Sequence, residues 1–555
     1  MATAVAAPYW WHDSESVVKE IIHSLQTRCT SGNWSYDNVK YNISAGIAQV
    51  KLDEPRTGNA LRHKTVSALL DICVELHGRP DVKAVVFTAS GFYFSTGGAF
   101  GETPEDESDF APRLEPGASR FETAVAENLP IAHLLYLMST LPQYKVAAIR
   151  GSIMGAGISL VAAMDYVVAP ESRTQLSFKE ATRGLGACCS WQATVAKLGV
   201  MKMRQFCLLA EDVNANQAKE LKLVDHIVTG AAKDAFIEAD ALALAKAKEV
   251  ARKCLDERQA LKTTGPLQRK PLLQLAGLKD SVEALLEEVS KRHGLEPRCP
   301  VHRFSNQMWP YEAVQLEIVG QHMARLSLKR GHLLDGLLIA LLELHRTAPG
   351  QVRLVELYCE TTLEGLDDVK FEDALALLRM LPQLLLGRPP AEGQGLQLLL
   401  WAQCDVVLVT SEVSFDVPEG WDFPDEVAPG SIDAAAAKDL GIMCHVVETE
   451  QLAVEKICEK LSECAPNAVA QAKGFIHKIG SQPMCSDVLQ ELAGHVARRT
   501  EDPEFEDSIR ALWDKAHVPI YRRPDHRVVP PHLVGQEDVE DWNGPQWQDD
   551  GSVLI

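Results

Sequence analysis

The chain lacks a Cys-x-x-Cys pair, a membrane-length apolar run, an excess of positive charge and a phosphate-binding glycine motif. Each absence closes a class of function. Its 13 cysteines are scattered, with only Cys188 and Cys189 adjacent, so neither a structural zinc site nor a disulfide framework is expected, and buried free thiols are. Lys and Arg number 55 against 76 Asp and Glu, a net charge of −21. Neutralising nucleic-acid phosphates needs clustered cations. The basic runs "QRK" (268–270) and "YRRPDHR" (521–527) are too short for that, and no nucleic-acid partner is expected. The apolar stretch from Gly151 to Met164, bracketed by Arg150 and Asp165, falls well short of the ~20 residues of a membrane span. The start "MATAVAAPYWWHDSES" has no basic segment before an apolar run, and the end "SVLI" is no peroxisomal address. A cytoplasmic chain without membrane attachment is expected. There is no G-x-x-x-x-G-K-[ST], and "GAGISL" (155–160) lacks the third glycine of the dinucleotide fingerprint.

What is present is a succession of strand, turn and helix signals. "NVKYNISAGIAQVKLDEP" (38–55) alternates about Ser44, Ala45 and Gly46 and predicts a short hairpin. A helical stretch (64–78) has apolar residues at 66, 69, 70, 73, 74 and 76. The buried-strand run "VKAVVFTAS" (82–90) then leads to "GFYFSTGGAFG" (91–101). Past an acidic, proline-bearing loop (102–119) come a helix over 121–142, the strand "KVAAIR" (145–150), the turn "GSIMGAG" (151–157) and an apolar helix. A strand within 165–181 and "NANQAKELKLVDHIV" (214–228) close the unit. Repeated strand–turn–helix with short connections indicates an α/β chain. The glycine turns leave backbone N–H groups free where a helix begins, a geometry suited to an anion or oxyanion.

Beyond polar helical and linker-like residues (230–310), the opening pattern returns. "AVQLEIVGQHMARLSLKR" (313–330) follows 38–55, and "LLLWAQCDVVLVTSEVSFDVPE" (398–419) follows "SLVAAMDYVVAPESRTQLSFKE" (159–180). "IDAAAAKDLGIMCHVV" (432–447) follows "VNANQAKELKLVDHIV" (213–228). An internal duplication is expected from this.

With "EPRTGNAL" (54–61), "FSTGGAF" (94–100), "GSIMGAGISLVAAMDYVVA" (151–169), "LSFKEATRGLG" (176–186) and "EDPEFEDSIRALWDKAHVPIY" (504–521) in that order, the chain resembles the crotonase (enoyl-CoA hydratase/isomerase) superfamily. "FSTGGAF" and "LSFKEATRGLGACCSW" are similar to the dehydratases that serve polyketide β-branching. The resemblance implies an α/β fold of crotonase-like ββα superhelices, duplicated, with a helical C-terminal segment. It also implies a division into an N-terminal extension (1–35), a crotonase-like domain with intact oxyanion turns (36–260), a helical linker (261–310), a degenerate crotonase-like domain with the C-terminal helix (311–522) and an acidic tail (523–555). By the same resemblance the N–H groups of Gly98 and Ala156 hold a thioester carbonyl, and Glu180 carries the proton. Thr96, Gly97, Gly155, Ser159 and Gly186 border the substrate. Arg56, Ala60 and Leu61, with Lys64, meet the CoA or phosphopantetheine arm. That arm is part of the substrate, so no separate cofactor and no metal are implied. The implied partners are an acyl thioester, an acyl carrier protein as the other possible carrier, and further copies in a trimer-derived homo-oligomer.

The chain departs from the family at the acid/base. A full hydratase uses two carboxylates, and the first position falls on Ser159. One carboxylate suffices to move a proton between carbons or to start an elimination, whereas hydration needs a base for water and an acid for carbon. Asp106, Asp109 and Glu122 are candidates for the missing group, Tyr93 and His63 lie near the motifs, and Cys188 and Cys189 are expected to pack rather than react. In the second copy Gln394 falls at the oxyanion position, Gln397 at the first carboxylate position and Glu419 at the second, before the proline-broken stretch 420–431. It is expected to act as a pseudo-subunit that lends its C-terminal helix. The expected function is an acyl-thioester dehydratase or isomerase of fatty acid or polyketide metabolism, working through an enolate. The alternative is a catalytically inactive binding or scaffold protein.

Overall fold

The computed structural model describes residues 14–28, 37–98, 119–186, 191–256, 282–295, 313–329, 333–360, 363, 367–390, 392–393, 397–416, 431–439, 445–447, 449–481, 486–513, 518–523, 526–531, 546–547 and 553–554. Helix α1 (Ser14–Arg28) comes first, in the expected extension. Strands β1 (Val39–Ser44) and β2 (Ile47–Leu52) form the expected antiparallel hairpin. Its two-residue turn holds Ala45 at φ 50° and Gly46 at φ 73°, a left-handed pair whose twist matches the flanking strands. The chain continues through α2 (His63–His77), β3 (Ala84–Ala89), α3 (Arg120–Thr140), β4 (Tyr144–Ala148), β5 (Ser152–Met154), α4 (Ala156–Ala162), β6 (Tyr166–Pro170) and β7 (Gln175–Ser177). Then come α5 (Trp191–Leu198), α6 (Val200–Leu208), β8 (Asp212–Asn214), α7 (Ala215–Glu220), β9 (His226–Val228) and the long α8 (Ala232–Asp256).

These strands make a six-stranded sheet in the order β1-β2-β3-β4-β6-β9, parallel from β2 onward, and a three-stranded sheet β5-β7-β8. The strand expected within 165–181 is two strands, one in each sheet, joined through Arg173 at φ 64°. Two successive turns of the winding, β4–β5 and β6–β7, thus lay one strand in the long sheet and one in the short sheet before a helix. Helix α8 covers the outer face of the long sheet with an i, i+4 stripe of Ala235, Ala239, Ala243, Ala247 and Ala251, all buried against Ala84, Val86, Val146, Ala148 and Val168. Small side chains at that spacing let a helix lie close on a sheet.

The second half begins with α9 (Val282–His293) and runs through β10 (Val314–Gly320), β11 (Met323–Leu328), α10 (Leu333–Arg346), β12 (Leu354–Cys359), α11 (Asp368–Met380), β13 (Leu384–Gly387), β14 (Glu392–Gly393) and α12 (Gln397–Trp401). It continues with β15 (Val406–Val409), β16 (Ser414–Asp416), β17 (Ser431–Asp433), α13 (Ala434–Asp439) and β18 (His445–Val446). Its sheets, β10-β11-β12-β13-β15-β18 and β14-β16-β17, have the same order and directions as those of the first half. Polar fastenings recur as well. Asp165 accepts the Lys145 N–H at 2.7 Å and Asp405 accepts the Leu385 N–H at 2.7 Å. The Gln143 amide donates to the carbonyl of Leu76 at the end of α2, and the Gln383 amide to that of Leu344 at the end of α10.

The register corrects one expectation. Ile153 pairs with Leu176 in the first half, and Gly393 pairs with Phe415 in the second. Gly393 therefore stands where Ile153 does, not where Gly155 does. The counterparts of Ala156 and Ser159 become Leu396 and Leu399 rather than Gln394 and Gln397. Residues 394–396, Glu419 and 420–430 lie outside the described residues.

The chain closes with α14 (Glu450–Ser462), α15 (Pro466–Ser481), α16 (Ser486–Thr500), α17 (Pro503–Trp513) and a small hairpin, β19 (Gln546–Trp547) with β20 (Val553–Leu554). Helices α15 and α16 reach back to the first half, lying on α6 and α3. One apolar core accordingly contains residues from both halves. Past the expected boundary at 522, Val528 and Val529 are still buried, and Val529 exchanges two backbone hydrogen bonds of 3.1 Å with Gln321.

Candidate active site

Three loops meet at the site, and local chemistry fixes each of them. Asn59 adopts φ 54° and is buried. Its Nδ2 donates to the carbonyls of Ser90 (2.9 Å) and Tyr93 (2.7 Å), and its Oδ1 accepts the Glu54 N–H at 2.8 Å. Asparagine tolerates the left-handed region, and its short amide reaches nearby backbone. It ties the 54–61 loop to the segment that enters Phe94–Gly98. Leu61 N–H then donates to Gly97 O at 2.8 Å and Thr96 N–H to Gly58 O at 3.1 Å.

The second and third loops are the two glycine turns. Met154 N–H donates to Ser95 O and Gly155 N–H to Ser177 O, both at 3.1 Å. Gly97 sits at φ 82°, where a Cβ would stand 2.5 Å from Met154 O and 3.2 Å from Ala156 N. Only a bare α-carbon allows that crossing. It brings Gly97 against the Ala156 nitrogen, and neither the Gly98 N–H nor the Ala156 N–H has an acceptor among the described residues.

Glu180 completes the arrangement. A Cβ at Gly155, which has φ 50°, would come 2.2 Å from Glu180 Oε1, so the carboxyl lies against the Gly155 α-carbon, next to Ala156. Its Oε2 is buried without a hydrogen-bond partner. Burial pushes the carboxyl up to about 7, with a backbone hydrogen bond and the Arg183 guanidinium pulling the other way. A carboxylate that ionises near neutrality is matched to taking and returning a proton.

Other expected residues fall into place around this centre. Ser159 is fully buried, and its Oγ lies 3.1 Å from Thr194 Oγ1 on α5. A pair of hydroxyls thus occupies the position that the resemblance assigns to a second carboxylate. Arg56 is exposed on the turn Pro55–Thr57, and Lys64 is exposed in the first turn of α2. Ala60 and Leu61 are buried, and the Leu61 N–H is engaged by Gly97 O, so it props the turn at Gly97 instead of offering an open donor. The Thr96 hydroxyl reaches Thr57 O at 3.4 Å, and Gly186 is buried at the end of its described segment. Tyr93, 38% exposed, neighbours Phe92, 65% exposed. Asp106, Asp109, Cys188 and Cys189 lie outside the described residues, as does the side chain of Glu122 in the first turn of α3. Asn59 and Thr194 were not foreseen as contributors. An asparagine between Gly58 and Ala60 is a legible left-handed signal, whereas nothing in sequence links Thr194 to Ser159. Among the described residues no group of three or more His, Cys, Asp or Glu side chains could hold a metal ion, and no helix is long and apolar enough to cross a membrane.

The enoyl-CoA hydratase/isomerase family model matches residues 42–270. A protein of Thermus thermophilus assigned as an enoyl-CoA hydratase is 31% identical over 203 residues, covering 36% of this chain and 75% of the relative. One of Rhodobacter capsulatus with the same assignment is 29% identical over 199 residues, covering 34% and 68%. The crystal structure of an enoyl-CoA hydratase/isomerase from Marinobacter aquaeolei aligns at a TM-score of 0.34 and 17% identity, over 48% of this chain and 92% of that one.

Proposed function

The chain belongs to the enoyl-CoA hydratase/isomerase family, and we propose that it is an acyl-thioester isomerase or dehydratase that works through one carboxylate. The observation that carries this reading is the Glu180 carboxyl against Gly155, beside two backbone N–H groups that lack acceptors. The thioester oxygen sits between the N–H groups of Gly98 and Ala156, and loss of one such donor typically costs ~2.7–4 kcal/mol. Glu180 takes a proton from Cα, and the C–H electron pair moves into an enolate. In a 3-enoyl thioester the double bond shifts and Glu180 returns the proton to Cγ. In a β-hydroxyacyl thioester the enolate expels the β-oxygen, which leaves as water with the proton Glu180 removed. Hydration is disfavoured, because the Ser159 hydroxyl is buried on Thr194 and offers no second carboxylate for water. CoA or a carrier protein's phosphopantetheine supplies the thioester, with Arg56 and Lys64 exposed beside the loop that would meet it. The second half is read as a decayed copy that takes the place of a neighbouring subunit in a trimer-derived assembly. The shared strand order and the paired Asp165/Asp405 and Gln143/Gln383 fastenings support that reading.

The test is deuterium uptake in D₂O with crotonyl-, 3-hydroxybutyryl- and 3-methylglutaconyl-CoA, followed at Cα and Cγ by mass spectrometry. Glu180→Gln is expected to lower exchange by about 10²–10⁴-fold, and the products separate isomerase from dehydratase. Exchange unchanged in the variant removes Glu180 as the base. Thioester binding without exchange in the natural chain replaces the enzyme reading with that of a binding protein.

A further inference from the structure

Among the buried groups that the proposed chemistry leaves unexplained, Arg353 stands out. It is 3% exposed just before β12, and among the described residues it meets four backbone carbonyls and no carboxylate. Burying a guanidinium without a counter-charge is costly unless its hydrogen bonds hold something in place. Those carbonyls belong to Leu461 and Cys464 at the end of α14, Tyr521 (3.2 Å) and His526 (2.8 Å). Arg353 thereby fastens the last packed segment of the chain to the second sheet.

That segment reaches the turn that carries Glu180. No side chain caps the short turn Ala181–Arg183, and the Glu180 carbonyl accepts the N–H groups of Arg183 and Leu185, each at 2.9 Å. Three carbonyls of the turn, those of Ala181, Thr182 and Gly184, are met from the far end of the chain. Ala465 N–H donates to Ala181 O at 2.9 Å. The Tyr521 hydroxyl and Arg522 donate to Thr182 O at 2.6 and 3.0 Å, and Arg499 Nε donates to Gly184 O at 2.7 Å. Gly184, at φ 71°, packs so tightly on Phe505 that a Cβ would stand 2.8 Å from its nitrogen. The Tyr521 hydroxyl is also 2.5 Å from Ser508 Oγ. With its own Oε2 unpartnered, the Glu180 carboxyl has its place set by this turn.

We propose that Tyr521 is a positioning residue for Glu180, and that Arg353 of the second half anchors it there. The second half then serves catalysis by holding the base of the first. This rests on Glu180 being the base, so the decisive readout needs no substrate. It is the carboxyl band of Glu180 in infrared difference spectra, the natural chain minus Glu180→Gln, followed against pH. Tyr521→Phe keeps the ring and removes one hydroxyl. It is expected to leave the melting temperature nearly unchanged, to move the Glu180 titration midpoint down by about half a pH unit or more as water reaches the turn, and to lower α-proton exchange on 3-hydroxybutyryl-CoA about tenfold with KM unchanged. Arg522→Gln is expected to act in the same direction, and Arg353→Lys, which keeps charge and some donors, to retain more of the natural midpoint than Arg353→Met. Tyr358→Phe, on β12 but away from the turn, is expected to shift neither readout. A natural midpoint in Tyr521→Phe and Arg522→Gln overturns the proposal. A shifted midpoint in a chain that exchanges no α-proton upholds the positioning and removes the enzymatic reading instead.

Discussion

The Glu180 carboxyl carries an energetic signature that follows from its surroundings. Its folded-state value, about 7, stands above the ordinary carboxyl value because burial disfavours the charge. Between the two values the folded chain keeps a proton that the unfolded chain has lost, so this group stabilises the fold at low pH, and the contribution disappears as pH rises through 7. Glu180→Gln mimics the protonated form. At pH 8 it is expected to melt above the natural chain by about 2 °C, with the gap closing toward pH 5; thermal melts at both pH values check this. An equal gap at the two pH values would mean that the carboxyl is solvated. The same residue was legible from "LSFKE" (176–180) as a candidate base. Its desolvation was not, because the groups that enclose it come from residues far away in sequence.

At the scale of elements, helix α16 shows how a local pattern becomes a long-range contact. Leu489, Leu492, Ala493 and Val496 recur at helical spacing and are buried where α16 lies along α3. Arg499, in its last turn, bonds Gly184 O. Leu492→Ala is expected to cost about 2–5 kcal/mol in urea unfolding, and a loss below about 1 kcal/mol would mean that this helix pair packs loosely. The hairpin at Ala45 and Gly46 and the helix starting at His63 were readable from alternation and periodicity. The splitting of 165–181 between two sheets was not, since a strand's period is the same whichever sheet it joins.

In the whole molecule the halves are locked by charge as well as by apolar packing. Asp405, fully buried, pairs with Arg204 of α6 and with Lys473 of α15, the latter at 2.6 Å. Arg204 also donates to Gln403 O, and Arg379 to Gln403 Oε1 at 2.8 Å. Burial draws Lys473 down to about 8, against the pull of Asp405. Asp405→Asn removes the carboxylate that Arg204 and Lys473 share and is expected to cost about 3–5 kcal/mol. Asp165→Asn, whose carboxyl pairs with Lys145 at 3.2 Å and is 19% exposed, is expected to cost less. Urea unfolding of the two variants checks the order, and equal losses would mean that the buried cluster carries no special share of the coupling between halves.

The sequence by itself determined the winding of strand, glycine turn and helix and the order of the two glycine turns and the Glu180 segment, because periodicity, left-handed glycines and motif order are properties of neighbouring residues. It also pointed to a second half patterned on the first, with an alignment around Gly393 that slipped by two residues until the pairing of Gly393 with Phe415 set it. Only the tertiary structure decided that Ser159 is closed off by Thr194, that the Leu61 N–H props Gly97, and that Tyr521 reaches Thr182 across the fold. Those contacts join residues tens to hundreds of positions apart, and each depends on side chains that a linear pattern does not bring together until the chain has packed.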